Sequence, residues 1–182
     1  MKTGAMALMR SLRLFESFTD AELEMLGIVF RVREFPAGTR MCREGFPGAG
    51  LYIIVSGTVD LVREPVPGQV RRVASQGPGT LLGQISIIDG SRRNASADAV
   101  NDVVALEMDR ADFERLFEAQ SLFAYKLLDL ILRDLSFRLR KANEALEEID
   151  PGTIRSVEAM MSAIESVNRV LNTTSEMKTL IR

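Results

Sequence analysis

The spacing of hydrophobic side chains changes twice along the chain. As far as Val29 they recur every three or four residues. From about residue 30 to 108 they alternate with polar ones or bunch into short runs, and after Asp109 the three-to-four spacing returns. This order predicts helices, then strands, then helices. Residues 5–14 read as a short helix. Thr19-Asp20-Ala21-Glu22 is a capping box that opens a second helix, with Leu23, Leu26 and Val29 on one face.

In the middle, Phe30 and Val32 alternate with Arg31 and Arg33 up to a turn at Pro36-Ala37-Gly38. A longer turn, Gly45-Phe46-Pro47-Gly48-Ala49-Gly50, precedes the apolar strand Leu51–Val55. Ser56-Gly57 makes a tight connection into Thr58–Val62, and Pro65-Val66-Pro67-Gly68 reads as a loop before the strand Val70–Val73. Ala95–Val100 and Val103–Met108 are expected to form a hairpin across Asn101-Asp102. About eight short strands with turns this regular predict a mainly β fold with flanking helices. The expected architecture is an eight-stranded antiparallel β-roll (jelly roll, double-stranded β-helix) that holds one small ligand near its wall.

After the strands, Asp109 is expected to cap a helix over Ala111–Ala119, and Ser121 a long helix over residues 122–149. The long helix carries two apolar stripes. One is Leu128, Leu132, Leu135, Leu139, Ala142, Leu146 and Ile149, a heptad seam. The other is Phe123, Leu127, Leu130 and Phe137, interrupted by Asp134. With one stripe docked on the roll, the other is left for a second chain, so a homodimer through the 128–149 seam is expected. Pro151-Gly152 breaks this helix. Val157, Met160, Ile164, Val167 and Leu171 then mark an amphipathic tail, open to a partner protein. The expected organisation is N-terminal helices in 1–29, a roll with its long helix in 30–149, and a helical tail in 150–182.

Composition removes several alternatives. Of 182 residues 46% are hydrophobic and 26% charged, and the net charge is −2, so there is no general attraction to nucleic acid or anionic membrane. There is no histidine, and Cys42 is the only cysteine. An internal disulfide, a Cys/His zinc site and His-dependent nucleophilic catalysis are therefore excluded, and no metal is expected. No pair of carboxylates is placed for acid–base work, so an enzyme is not expected. No apolar run approaches the ~20 residues of a membrane span, and the chain is expected in the cytoplasm without a membrane partner.

The candidate chemistry lies in residues 82–97, Leu-Gly-Gln-Ile-Ser-Ile-Ile-Asp-Gly-Ser-Arg-Arg-Asn-Ala-Ser-Ala. Gly83 lets backbone approach a ligand closely. Gln84 to Ile88 reads as one helical turn, whose first N–H groups and partial positive charge attract phosphate. Arg93 adds a planar, permanently charged fork, and Ser96 a hydroxyl. The same residues also fit a surface loop with solvated arginines.

Taken with Pro36-Ala37-Gly38, Glu44-Gly45, Tyr52-Ile53-Ile54, Ser56-Gly57-Thr58-Val59 and Gly77-Pro78-Gly79, this stretch resembles the cyclic nucleotide-binding domain family over about residues 12–149. That family includes the catabolite activator protein and the regulatory subunit of protein kinase A. The resemblance implies a cyclic nucleotide as ligand, cAMP first. It places the cyclic phosphate on Arg93 and on backbone presented by Gly83, Ile85 and Ser86, with Asn94 and Ser96 beside it and the base near Arg138.

Two positions depart from the family pattern. Gln84 stands where a glutamate binds the ribose 2′-hydroxyl, and Arg92 where proline is usual. The amide still accepts a hydrogen bond. A charged bond is worth roughly 1.5–3 kcal/mol against about 0.5–1.5 for a neutral one, so the change costs on the order of 1 kcal/mol, about tenfold in affinity. The expected function is a regulatory module that signals through its long, dimer-forming helix. The alternative is a fold that has lost its ligand and serves dimerisation or protein interaction. Direct DNA binding is not expected, because residues 151–182 hold no recognition helix.

Overall fold

The alternating middle of the chain forms eight strands in two four-stranded antiparallel sheets. In this computed structural model residues 2–118 and 122–147 are described. Three helical segments come first: α1 (Lys2–Arg10), a 3-10 turn (Arg13–Phe15) and α2 (Asp20–Val29). The strands are β1 (Phe30–Phe35), β2 (Arg40–Cys42), β3 (Gly50–Ser56), β4 (Val59–Val66), β5 (Gln69–Gln76), β6 (Leu81–Leu82), β7 (Ser96–Ala99) and β8 (Val103–Asp109). A short helix α3 (Gln84–Asp89) sits between β6 and β7, and α4 (Arg110–Glu118) and α5 (Leu122–Glu147) follow β8. The sheet orders are β1-β8-β3-β6 and β2-β7-β4-β5. Between the sheets, Phe35, Met41, Ile54, Val59, Leu82, Ala97, Ala99, Val103 and Ala105 form one buried apolar cluster.

The capping box is built as its sequence predicts. Thr19 Oγ1 accepts the Glu22 N–H, and Glu22 accepts the Thr19 N–H at 2.8 Å. Glu22 also pairs with Lys126 Nζ at 2.7 Å, tying the start of α2 to the start of α5. The first helix covers residues 2–10 rather than 5–14. Its chain stops at Ser11, whose hydroxyl turns back to the Leu8 carbonyl.

The hairpin expected across Asn101-Asp102 is not a hairpin. β7 pairs with β2 and β4, whereas β8 pairs with β1 and β3, so these residues carry the chain from one sheet to the other. Side chains fix that corner. Asn101 Oδ1 accepts the Thr58 N–H at 2.7 Å and Asp102 Oδ1 the Ala37 N–H at 2.9 Å. Gly57 (φ +88°) lies against the Asp102 carbonyl, where a Cβ would overlap it, and there β3 likewise crosses sheets into β4. Pro65 and Val66 belong to β4 rather than to a loop. The β4–β5 register is irregular between Arg63 and Val66, so the missing proline N–H breaks no regular ladder.

Asp109, expected to cap α4, ends β8 instead and gives its carboxylate to Arg31. Among the described side chains of α5, those buried most deeply are Ala124, Leu127 and Ile131, spaced i, i+3, i+7. This face coincides with neither predicted stripe: only Leu127 belongs to one, while Leu132, Phe137 and Leu146 remain exposed.

The chain divides into two compact units, residues 1–132 and 133–182. In the second, Asp134 pairs with Arg138 at 2.7 Å and Lys141 with Glu144 at 2.6 Å. Ser121, Ile149 and the tail helix expected beyond Pro151 lie outside the described residues.

Candidate functional site

The site is organised by glycines that let three pieces of backbone meet around one arginine. Gly83 precedes α3 in the left-handed region (φ +90°), and a Cβ there would overlap Nη1 of Arg93. A Cβ on Gly48 would overlap the Ser86 side chain, and one on Gly50 the Met108 carbonyl. The turn from Gly45 to Gly50 thus packs against α3 at Gly48 and against β8 at Gly50, with no room for a side chain at either position.

Arg93 is locked to that turn through its backbone. Its N–H donates to Phe46 O at 2.9 Å and its carbonyl accepts the Gly45 N–H at 2.8 Å, continuing a bridge between Pro47 and Arg92. The guanidinium runs inward, and the residue is only 7% exposed. Nη1 donates to Ser86 Oγ at 3.1 Å and Nη2 to the Gly50 carbonyl at 2.5 Å, while the charge lies 5.8 Å from the centre of the Tyr52 ring.

All these acceptors are neutral. Among the described residues no carboxylate pairs with Arg93, whereas Arg33, Arg40, Arg63 and Arg72 on the strands each reach a Glu or Asp. A cation held out of water without a counter-charge is costly. An anion arriving here would receive charge-assisted hydrogen bonds, which are shorter and about twice as strong as neutral ones. The first intrahelical bond of α3 is Ile87 N–H to Gly83 O at 3.1 Å, so the N–H groups of Ile85 and Ser86 have no partner within the turn. At the other end, Arg110 Nη1 donates to the Ser86 carbonyl at 3.2 Å, and Gly90 (φ +74°) leaves space for that guanidinium. Ser86 therefore touches one arginine with its hydroxyl and another with its carbonyl.

The other residues singled out in the sequence fall as follows. Gln84 is buried and hydrogen-bonded or otherwise engaged, and Ile85 is exposed. Asn94 is exposed, and Ser96 is buried with Oγ accepting the Glu44 N–H at 2.9 Å. Arg92 is exposed and donates to the Gly45 carbonyl at 2.7 Å. Arg138 lies on α5 in the second compact unit, paired with Asp134.

Sequence reasoning missed Gly48, Gly50, Glu44 and Tyr52 as parts of the site. The spacing of Gly45, Gly48 and Gly50 was a usable signal for the first two. The Glu44 carboxylate accepts the Glu64 N–H at 2.9 Å and Arg63 Nε at 3.0 Å, and these hold it below the usual carboxylate range. Burial pushes the Tyr52 phenol up, and the Glu107 carboxylate beside it pushes the same way. Burial also raises the Cys42 thiol, opposed by the nearby charge of Arg93.

Residues 32–120 match the sequence profile of the cyclic nucleotide-binding domain. The chain is 35% identical over 139 residues to the cyclic AMP receptor protein of Thermus thermophilus, covering 76% of this chain and 62% of that one. It spans between half and two thirds of the length of such curated relatives. Among solved structures, a cyclic nucleotide-binding-like protein from Brucella abortus is 30% identical with a TM-score of 0.52, covering 63% of this chain and 98% of that one. A cyclic nucleotide-binding domain from Methylobacillus flagellatus, at 23% identity, shares the fold with a TM-score of 0.70, covering 82% and 84% of the two chains.

Proposed function

Because this chain belongs to the cyclic nucleotide-binding domain family, we propose that it is a regulatory sensor whose ligand is a cyclic nucleotide, cAMP first, held between Gly83 and Ser96. The observation that carries this reading is the Arg93 guanidinium, buried, cationic and, among the described residues, bonded only to neutral oxygens. A singly charged cyclic phosphate supplies the missing counter-charge. Arg93 offers its fork to the two exocyclic phosphate oxygens, which the N–H groups of Ile85 and Ser86 share, with the bare backbone of Gly83 close by. Gln84 offers its amide oxygen to the ribose hydroxyl. Asn94 and Ser96 stand beside the phosphate.

The ligand acts by favouring one packing of α5 over another, which requires that it contact the two arrangements differently. α5 is also the element assigned to a homodimer, through residues 128–149.

A thermal-shift series with cAMP, cGMP and 5′-AMP tests this. Ligand at about a hundred times its dissociation constant stabilises the fold by about 2.7 kcal/mol, and each kcal/mol moves the midpoint roughly 2–4 °C in a chain of this length. A shift with a cyclic nucleotide, absent in Arg93→Ala, is expected. No shift at millimolar concentrations would overturn the reading.

One observation favours a second reading, an interaction module that no longer binds ligand. Gln84 removes the ribose carboxylate, and Arg93 already has two acceptors of its own. On that reading only Gln84→Glu binds nucleotide, whereas on the first both proteins bind and the variant does so about tenfold more tightly.

A further inference from the structure

Next to Arg93 lies a group of side chains that the cassette does not account for. Tyr52 on β3 is the direct cross-strand neighbour of Glu107 on β8. Its ring packs edge-on against Phe35 of β1, with centroids 5.9 Å apart. The Arg33 guanidinium lies 5.8 Å from the Phe35 ring centre and donates from Nη1 to Glu107 Oε2 at 2.9 Å. Arg33, Glu107, Tyr52 and Phe35 thus close a ring of contacts across three neighbouring strands. Arg93 enters from the cassette and sets its guanidinium against the Tyr52 ring, at 5.8 Å.

The chemistry of this arrangement is specific. A guanidinium within about 6 Å of an aromatic face is attracted by the ring quadrupole, more strongly where water is excluded. Unlike a carboxylate, a ring attracts a cation without neutralising it, so the arginine's formal charge stays available to an incoming anion. Glu107 supplies negative charge nearby, but it is engaged by Arg33 rather than by Arg93. An acidic side chain at position 52 would instead form a closed ion pair and compete with the ligand.

We propose that Tyr52 is a positioning residue for Arg93, fixing the orientation of the guanidinium by its ring, so that the arginine is ordered and still unpaired when the anion arrives. This rests on the reading of Gly83–Ser96 as an anion site.

The test compares Tyr52→Phe, which keeps the ring, with Tyr52→Leu and Tyr52→Met, which remove it. Methionine retains volume against Phe35 should leucine unfold the roll, with far-UV circular dichroism as the check. The first readout needs no ligand: the side-chain Nε–H resonance of Arg93 in the free protein, assigned with Arg93→Lys. A ring-current displacement is expected in the parent and in Tyr52→Phe, and its loss in Tyr52→Leu and Tyr52→Met. The second readout is cAMP affinity by calorimetry. Tyr52→Phe should stay within about threefold of the parent, and the ring-less variants should weaken by about 5- to 30-fold, the equivalent of about 1–2 kcal/mol.

An unmoved Arg93 resonance in the folded ring-less variants overturns the proposal, as does a moved resonance with unchanged affinity. If the parent protein binds no cyclic nucleotide, the ligand reading falls, and the resonance alone then decides whether Tyr52 orders Arg93.

Discussion

Gly83 carries two constraints at once, and they can be separated by experiment. Its φ of +90° is one that residues with a Cβ adopt at a cost of roughly 1–2 kcal/mol, and the Cβ would also strike Arg93. Gly68 has a similar φ of +83° with open space around it. Gly68→Ala is therefore expected to lose only the backbone component in urea unfolding, and Gly83→Ala to lose clearly more, because the guanidinium must leave Ser86 and Gly50. Equal losses would show that Arg93 yields at no cost and that its placement is loose. Some of this was legible in the sequence, since a glycine before a short apolar turn and an arginine ten residues later mark a close approach. The neighbours that complete the site were not. Tyr52 meets Glu107 only after β3 and β8 have paired, and Arg93 only after the cassette has packed against β3, and no local spacing records that.

At the scale of elements, the join between α2 and α5 depends on one carboxylate. Glu22 is held below the usual range chiefly by Lys126 and then by the Thr19 N–H. Because its folded-state value is the lower one, the stability it contributes is present above the unfolded value, near 4.3, and is lost as pH falls through the folded one. Thermal midpoints between pH 6 and 3 should therefore fall more steeply for the parent than for Glu22→Gln, which starts lower at neutral pH. Parallel curves would rule out this role for the pair. The capping box itself was readable from four adjacent residues, because it is a local structure. The buried face of α5 was not, because Ala124 contributes little to an apolar pattern and Ile131 lies between two more conspicuous leucine stripes. Alternation found the strands but could not tell a hairpin from a sheet crossing. Asn101 and Asp102 suit a turn in either case, and their partners Thr58 and Ala37 lie far away in sequence.

For the whole molecule, the proposed dimer predicts a concentration-dependent melt, and the exposed positions of the long helix say where to break it. Leu132 is 37% exposed and Leu146 45%. A Leu132→Glu/Leu139→Glu protein should sediment as a monomer and melt independently of concentration, whereas an unchanged sedimentation coefficient would place the contact elsewhere. The register of the first sheet has a different consequence, for the order in which the protein is made. β1 pairs with β8 alone, Phe30 opposite Met108 and Phe35 opposite Val103. The earliest strand to leave the ribosome therefore waits for the latest, and loop-closure entropy must be met over the whole intervening chain before that ladder forms. In pulse-labelled hydrogen exchange during refolding, the amides of residues 30–35 should gain protection after those of the β4–β5 pair. The nascent chain thus carries β1 without its partner until β8, downstream of the cassette, has been synthesised.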